Sequence, residues 1–321
     1  MRDLMAAVGA DSVIGPCYAP APELEREAAR PRGKLHAFVM ESEDSLLYPG
    51  IKRIDNDITR RRDAYGNRIA ANAEEQSAPA PYTRTVWVYV PAQLQTAAPA
   101  PFIVVQDGHF FLSRLPRVLD NLIAEGRVPA LVAILVDNGG GDAHGSQRGL
   151  EYDTLSSRYS DFIEAEVLPR VTANVGVALT ADPEGRATMG VSSGAACAFT
   201  MAWRHPERYR RVLSYSGSYV NQQSPADTES LRGAWEYHST LIPRSVRKPL
   251  RIWLEVGEKD LHAEDPEETW RNWPLANRRM AAVLSAKGYA YRFTLSLGAS
   301  HADPRVLEQT LPEALEWLWR G

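Results

Sequence analysis

Two adjacent serines stand between two glycines in the segment Gly190-Val191-Ser192-Ser193-Gly194. A G-x-S-x-G pattern between a strand and a helix is typical of a sharp turn that holds a serine hydroxyl clear of a sheet. Here the pattern follows the apolar run RATMGV and opens the helix-like run SGAACAFTMAWRHPE. A loop of small residues is the alternative, but this context favours Ser192 as a nucleophile.

A serine hydroxyl needs a base to take its proton, and the base needs an acid to orient it. In a strand-turn-helix setting of this kind the chain order is Ser, then Asp or Glu, then His. His301 lies in the loop GASHADP, after the strand-like run YRFTLSLG, where the base is expected. The other histidines after Ser192 fit less well, since His205 ends the predicted helix, His238 sits in a polar insertion and His262 shares the loop of the candidate acid.

The acid is expected in the loop that follows the strand-like run IWLEVG. Asp260 comes shortly after Gly257, at the carboxyl end of that predicted strand, where it can orient His301 and stabilise the imidazolium. Glu258 and Asp265 are the alternatives, as is a solvated acidic loop with no catalytic role. We predict Asp260.

A tetrahedral intermediate needs two N–H groups that point at its developing negative charge. The Ser193 N–H, at the start of the predicted helix, supplies the first, and the helix dipole assists it. The second is expected in VVQDGHFF, where Gly108 or His109 is the candidate because glycine lets the backbone approach a substrate closely. An ordinary Asp-Gly strand ending is the alternative.

Strand-like and helix-like runs alternate from Pro101 onward, beginning with PFIVVQDG, SRLPRVLDNLIAEGR and PALVAILVDNGGG. This alternation predicts an α/β fold with a mostly parallel central sheet and helices on both faces. Two more strands are expected at 33–40 and 83–92. Residues 1–33 are predicted to form an extended N-terminal arm, and residues 34–321 a single domain with a polar insertion at about 52–80, either a long hairpin or a mobile loop.

The composition of the 321 residues argues against several classes of protein. A net charge of -4 gives no basic face for nucleic acid, and no apolar run is long enough for a membrane span. Cys17 and Cys197 are too few for a disulfide framework and too isolated for a zinc site, and we expect no metal or organic cofactor. The first residues lack the apolar core of a signal peptide, so the protein is either cytoplasmic or has lost an export leader. Nothing in the pattern indicates an oligomeric state.

With these segments in place, the chain resembles the putative-esterase family of α/β hydrolases, which includes the enterochelin (ferric-siderophore) esterases and the feruloyl and acetyl-xylan esterases. The resemblance covers most of residues 83–320 and rests on QDGHFF, RGLEYDTLSSRYSDFIEAEVLPRV, GVSSGAACAFTMAWRHPERYRRVLSYSGSYV, VGEKD and PLANRRMAAVLSAKGYAYRF. It implies the α/β-hydrolase fold and a serine esterase. Two features depart from the siderophore branch. Ser193-Gly194-Ala195 stands where a Gly-Gly pair is frequent, and the basic surface expected for a trianionic iron complex is missing unless arginines 60–62 supply it.

The arrangement of Arg148, Glu151 and the following long helix looks most like the siderophore-esterase branch, where the equivalent Arg and Glu lie beside the active site. The resemblance therefore implies that Arg148 and Glu151 bind substrate; pairing of Arg148 with Glu151 or Asp153 is the alternative. Trp270 and Trp273 are predicted to be pocket walls, because indoles offer a large apolar area with one donor, and core packing is the alternative.

Together these residues predict a serine carboxylic-ester hydrolase that acts on a small-molecule ester, either a siderophore or a sugar or aryl ester. Ser192 attacks the carbonyl, His301 moves the proton, Asp260 orients His301, and an acyl-enzyme then reacts with water. An acyltransferase on the same triad is one alternative and would transfer the acyl group to an added sugar or alcohol. A non-catalytic siderophore- or carbohydrate-binding module is the other, and its Ser192 would not react with a fluorophosphonate.

Overall fold

The computed structural model describes residues 10–53, 77–95, 98–140, 147–222 and 232–320. Within these ranges nine strands form one central sheet, and two more form a small separate one. In chain order the strands are β1 (Ser12–Ile14), β2 (Lys34–Glu41), β3 (Ile51–Arg53), β4 (Ser77–Pro79), β5 (Thr83–Val90), β6 (Phe102–Gln106), β7 (Val132–Val136), β8 (Arg186–Val191), β9 (Arg211–Tyr215), β10 (Arg251–Gly257) and β11 (Ala290–Ser296).

The central sheet has the strand order β1-β11-β10-β9-β8-β6-β7-β5-β2. Neighbouring strands are parallel from β1 to β7, and β5 and β2 complete one edge with antiparallel pairing. Strands β6 to β9 are buried along their whole length, which explains why their sequences are continuous apolar runs rather than alternating ones. The predicted mostly parallel sheet is confirmed.

Helices cover both faces of this sheet. They are α1 (Gly108–Phe111), α2 (Leu115–Ala124), α3 (Gln147–Tyr152), α4 (Arg158–Phe162), α5 (Leu168–Val175), α6 (Ser193–Arg204), α7 (Ile242–Arg244), α8 (Trp273–Ala286) and α9 (Pro304–Trp319), with a π-helical turn, Ile163–Val167, between α4 and α5. Apolar side chains of α4, α6 and α8 pack on one face, and those of α2 and α9 on the other. Within the described ranges no helix combines the length and apolar character needed to cross a membrane.

The N-terminal arm carries a strand that the sequence analysis did not predict. Ser12–Ile14 forms β1, which pairs in parallel with β11, Val13 lying opposite Leu295. Three residues are too few to show a strand period, so the arm reads as irregular in the sequence. The arm therefore supplies the edge of the sheet next to β11, the strand that leads to His301.

The last helix, α9, contains a proline in its interior. It begins at Pro304, and the Asp303 side chain caps its first turn. Pro312 therefore lies inside the helix, where its missing N–H leaves the Glu308 carbonyl without its usual partner. That carbonyl instead accepts a hydrogen bond from the Ala21 N–H of the arm, at 2.9 Å. The arm compensates for the proline.

The predicted polar insertion at 52–80 falls mostly outside the described residues. Its flanks, β3 and β4, pair antiparallel with Lys52 opposite Ala78, as the two arms of a hairpin do. Residues 54–76, which include arginines 60–62, lie outside the description. The division of the chain into an arm and one domain stays a prediction.

Candidate active site

Ser192 lies in a sharp turn between β8 and α6. Its backbone has φ 59° and ψ -126°, a conformation that is costly for a residue with a side chain and that persists where neighbouring contacts hold it. One such contact is the Ser192 N–H, which donates to the Tyr215 carbonyl at 3.0 Å. A Cβ on Gly190 would lie 2.3 Å from the carbonyl carbon of Gly194, and a Cβ on Gly194 would lie 3.1 Å from Asp107. The turn therefore requires glycine at 190, and the space at 194 is tight.

The three side chains predicted to form a triad meet at the carboxyl ends of β8, β10 and β11. Ser192 Oγ lies 2.9 Å from His301 Nε2, and His301 Nδ1 lies 2.5 Å from Asp260 Oδ1. The Asp260 side chain is buried, whereas the His301 side chain is 22% exposed. An ionised carboxylate only accepts hydrogen bonds, so Asp260 keeps a proton on Nδ1 and directs the lone pair of Nε2 toward Ser192. This arrangement can take a proton from the serine.

A close crossing of two loops places Asp260 beside His301. A Cβ on Gly257 would lie 2.5 Å from the carbonyl oxygen of Ala299, so only glycine lets the loop after β10 pass the loop after β11. The Leu261 N–H also donates to Asp260 Oδ1, at 2.6 Å. The carboxylate is therefore oriented by the backbone as well as by the imidazole.

The alternative bases and acids contact other groups. His205, His238 and His262 lie within hydrogen-bonding distance of Glu207, the Tyr219 carbonyl and Asp265, respectively. Burial lowers the pKa of His238 to about 3, so that ring stays neutral and inside the core. Glu258 accepts from the Gly298 N–H at 2.8 Å. Among the described residues, no group of three or more His, Cys, Asp or Glu could hold a metal ion.

The predicted oxyanion donors differ in their availability. Ser193 is the first residue of α6, so its N–H has no acceptor within the helix. The His109 N–H donates to Asp137 Oδ1 at 3.1 Å, which leaves Gly108 as the better of the two candidates for the second donor. A Cβ on Gly108 would lie 2.6 Å from the Leu135 backbone, so packing of α1 on β7 already requires glycine there.

Arg148 pairs with Asp107, a partner that the sequence analysis did not consider. Its Nη2 lies 2.7 Å from Asp107 Oδ2 and its Nε lies 3.1 Å from Oδ1. Asn138 Nδ2 donates to the same carboxylate at 2.5 Å, and the Asp107 N–H donates to the Tyr152 hydroxyl at 3.1 Å. Asp107 has φ 53°, a left-handed conformation. These contacts hold the strained turn that presents Gly108.

Glu151 is buried among protein side chains, and its predicted contact with substrate stays a prediction. Its oxygens accept hydrogen bonds from Arg84 at 2.6 and 2.9 Å, from the Tyr82 hydroxyl at 3.1 Å and from Gln147 at 2.9 Å. Buried charges are stable when they are paired and hydrogen-bonded in this way. Glu151 therefore ties α3 to β5, and its partner Arg84 lies too far away in the sequence for the local motif to reveal it.

The two tryptophans predicted as pocket walls have different surroundings. Trp273 is 2% exposed, and its role as a pocket wall stays a prediction. Its Nε1–H donates to Ser218 Oγ at 3.2 Å, and its ring meets that of His301 edge-on at 6.0 Å. Trp270 is partly exposed and lies beneath the Arg232 guanidinium at 5.6 Å. A contact of Trp270 with substrate stays a prediction.

Two polar residues near the triad were not singled out from the sequence. Ser218 Oγ lies 3.3 Å from Ser192 Oγ, because β9 ends beside β8. Its stretch, YSGSYV, is a small-residue loop in sequence and carries no chemical signal of its own. Glu255 is buried in β10, and burial raises its pKa to about 8, with the charges of Asp260 and Asp303 acting in the same direction. Because Glu255 lies within an apolar run, the sequence pattern gave no reason to single it out.

A family model described as "Putative esterase" matches residues 77–303, which is more than half of the chain. No curated protein matches the chain. Among solved structures, the enterobactin esterase of Shigella flexneri, determined in the presence of enterobactin, is similar with 25% identity and a TM-score of 0.56. That match covers 74% of this chain and 55% of the Shigella protein, so this chain spans about half the length of that enzyme.

Two further structures are similar at lower identity and so inform on the fold alone. A CE1 ferulic acid esterase from Anaeromyces mucronatus, in complex with ferulic acid, has a TM-score of 0.60 and 10% identity over 94% of this chain and 96% of that one. A ferric enterobactin esterase from Salmonella typhimurium has a TM-score of 0.53 and 19% identity over 74% of this chain and 54% of that one. The α/β-hydrolase fold expected from the sequence is confirmed.

Proposed function

The chain belongs to the putative-esterase family, and from that premise we propose that it is a carboxylic ester hydrolase whose reaction is carried out by Ser192, His301 and Asp260. The observation that supports this most is the unbroken contact from Ser192 Oγ to His301 Nε2 at 2.9 Å and from His301 Nδ1 to Asp260 Oδ1 at 2.5 Å. Among the described residues, no other histidine contacts Ser192.

Acylation begins when Ser192 Oγ attacks the ester carbonyl. His301 Nε2 takes the hydroxyl proton as the new C–O bond forms, and the buried Asp260 stabilises the imidazolium. The negative charge passes to the carbonyl oxygen, where the N–H groups of Ser193 and Gly108 stabilise it. His301 then protonates the departing alkoxide, the ester C–O bond breaks, and an acyl group remains on Ser192.

Deacylation repeats these steps with water as the nucleophile. Water gives a proton to His301 as its oxygen adds to the acyl carbon, and the same N–H groups stabilise the second tetrahedral intermediate. The bond between Ser192 Oγ and the acyl carbon then breaks, and Oγ recovers its proton from His301. The products are a carboxylic acid, an alcohol and the original enzyme.

The pairing of charged residues near the site indicates the net charge of the substrate. Arg148 is bound to Asp107 and Glu151 to Arg84, so neither offers the uncompensated charge that would select a highly charged ester. The similar solved structures were determined with enterobactin and with ferulic acid. We therefore place the substrate among siderophore esters and sugar or aryl esters, and expect substrates of low net charge to be preferred.

The triad is tested by covalent labelling. A fluorophosphonate is expected to modify Ser192, and tandem mass spectrometry of the labelled peptide separates Ser192 from the adjacent Ser193. Ser192→Ala should abolish labelling and lower kcat on an aryl ester by about 10⁴-fold or more. Labelling at another residue, or activity that survives in Ser192→Ala, would refute the assignment.

The substrate is tested with a panel of a catechol siderophore, feruloyl and acetyl sugars, and short-chain aryl esters. The kcat/KM values rank the substrate classes. We expect a higher kcat/KM for the neutral esters than for the iron-loaded siderophore. Adding a sugar or alcohol to the same reactions measures transfer against hydrolysis. Predominant transfer to the added acceptor would replace hydrolysis with acyl transfer as the main reaction.

A further inference from the structure

Ser218 makes two polar contacts with Ser192, the proposed nucleophile. Its N–H donates to the Ser192 carbonyl at 3.1 Å, and its Oγ lies 3.3 Å from Ser192 Oγ. The residue is 1% exposed, so its hydroxyl has to find its partners within the protein. It lies in the loop after β9, which ends at Tyr215.

The direction of each hydrogen bond around Ser218 follows from its partners. The Trp273 indole can only donate, so Ser218 Oγ accepts its Nε1–H at 3.2 Å. Among the described residues, Ser192 Oγ is then the acceptor within reach of the Ser218 hydroxyl proton. The Ser192 hydroxyl in turn donates its own proton toward His301 Nε2. The donors run in one direction, from Trp273 through Ser218 and Ser192 to His301.

We infer that Ser218 is a catalytic residue, whose hydroxyl donates to Ser192 Oγ, and that Trp273 is a positioning residue that fixes the direction of this bond. The inference rests on the proposed role of Ser192. At 3.3 Å the contact is longer than the 2.5–3.0 Å usual between hydroxyl groups, so it contributes little in the resting enzyme. As His301 removes the proton, negative charge grows on Ser192 Oγ, and hydrogen bonds to charged oxygens are shorter and about twice as strong.

A bond that strengthens only as the reaction proceeds raises kcat rather than substrate affinity. The same donor serves deacylation, in which Ser192 Oγ is the leaving atom and again gathers negative charge as its bond to the acyl carbon breaks. Ser218 loses no proton in either step, because His301 accepts and returns the proton that moves. Its part is to stabilise charge on the reacting oxygen.

The surrounding framework holds the indole and the serine together. Asn277 Nδ2 donates to the Gly217 carbonyl at 2.9 Å and to the Trp273 carbonyl at 3.0 Å. Asn277 is buried on α8, so one amide links the start of that helix to the loop that carries Ser218. Trp273 is 2% exposed, so its Nε1–H lies inside the protein, where Ser218 Oγ accepts it.

The test measures two quantities, kcat on an aryl ester and the rate constant for fluorophosphonate labelling of Ser192. Ser218→Ala is expected to lower both by about ten- to a hundredfold with little change in KM. Ser218→Thr keeps the hydroxyl and should recover most of the loss. Trp273→Phe should cost less than Ser218→Ala, and the double variant should be no slower than Ser218→Ala, because the indole acts through the serine.

Thr188→Val is the matched control. Thr188 is a buried residue of β8 whose hydroxyl donates to the Ala198 carbonyl at 2.9 Å, so the variant removes a buried hydroxyl that is remote from the reacting atoms. It should keep kcat, and urea unfolding should show each variant folded at the assay temperature. Full kcat and labelling rates in Ser218→Ala, or an equal loss of both in Thr188→Val, would overturn the role of Ser218. Absence of labelling in the wild type overturns the proposed function itself, and with it this inference.

Discussion

Replacing Glu255 with Gln should make the stability of the fold less sensitive to pH. The carboxyl group is 3% exposed in β10, and burial raises its pKa to about 8 from an ordinary value of 4.5. Between those two values the folded protein holds a proton that the unfolded chain has released. The free energy of unfolding of the wild type therefore contains a contribution that is complete in acid and is lost as pH rises toward 8.

The magnitude follows from the interval between the two pKa values. One proton bound in the folded state and absent from the unfolded state changes the free energy of unfolding by about 1.4 kcal/mol per pH unit. Across the whole interval the wild type loses about 5 kcal/mol of this contribution. Gln has nearly the same shape and no proton to release, so Glu255→Gln is expected to gain about 4 kcal/mol over the wild type between pH 5 and pH 8.

Urea unfolding followed by tryptophan fluorescence measures this difference, provided that the denaturant slope is the same for both proteins. Glu41→Gln, at an exposed position of β2, is the control for loss of a carboxylate. A Glu255→Gln difference that is constant with pH would mean that the buried carboxyl titrates as it does in water, and would refute the reasoning.

Three other outcomes follow from the site. Gly257→Ala puts a Cβ 2.5 Å from the Ala299 carbonyl oxygen, so the loops after β10 and β11 must separate. We expect kcat on an aryl ester to fall by about a hundredfold, and an unchanged kcat would show that the loops have room. Arg84→Met leaves the buried charge of Glu151 unpaired and should cost about 3–5 kcal/mol of unfolding free energy in urea, and a cost below about 1 kcal/mol would contradict the pairing argument. His301→Ala removes the proposed base and should lower kcat on an aryl ester by about 10⁴-fold, and a loss below about tenfold would count against His301 as base.

The sequence predicted the sheet and the positions of its main elements because these depend on local patterns. Buried parallel strands are short apolar runs, and β6, β7 and β8 all show this pattern. The order of Ser192, Asp260 and His301 along the chain, each after a different strand, sufficed to select three residues that lie in contact. Neither inference required knowledge of distant pairings.

The sequence analysis failed where a residue's role depends on a partner far along the chain. Glu151 is neutralised by Arg84 from β5, and Arg148 by Asp107 from the end of β6, and neither pairing has a fixed spacing that a motif could carry. Ser218 reaches Ser192 only because β9 lies beside β8. These are the contacts that decide which polar residues support the fold and which face a substrate.

The position of β1 has a consequence for how the protein assembles during synthesis. Ser12 Oγ lies 2.8 Å from Thr294 Oγ1 across 282 residues, so β1 cannot pair with its neighbour until β11 has been synthesised. The nucleophile turn is different, since both strands that flank β8 are made well before β11. A nascent chain that stalls before β11 therefore carries the Ser192 turn without His301 and with β1 unpaired, so the proposed triad can form only after β11 and the loop that follows it have been made.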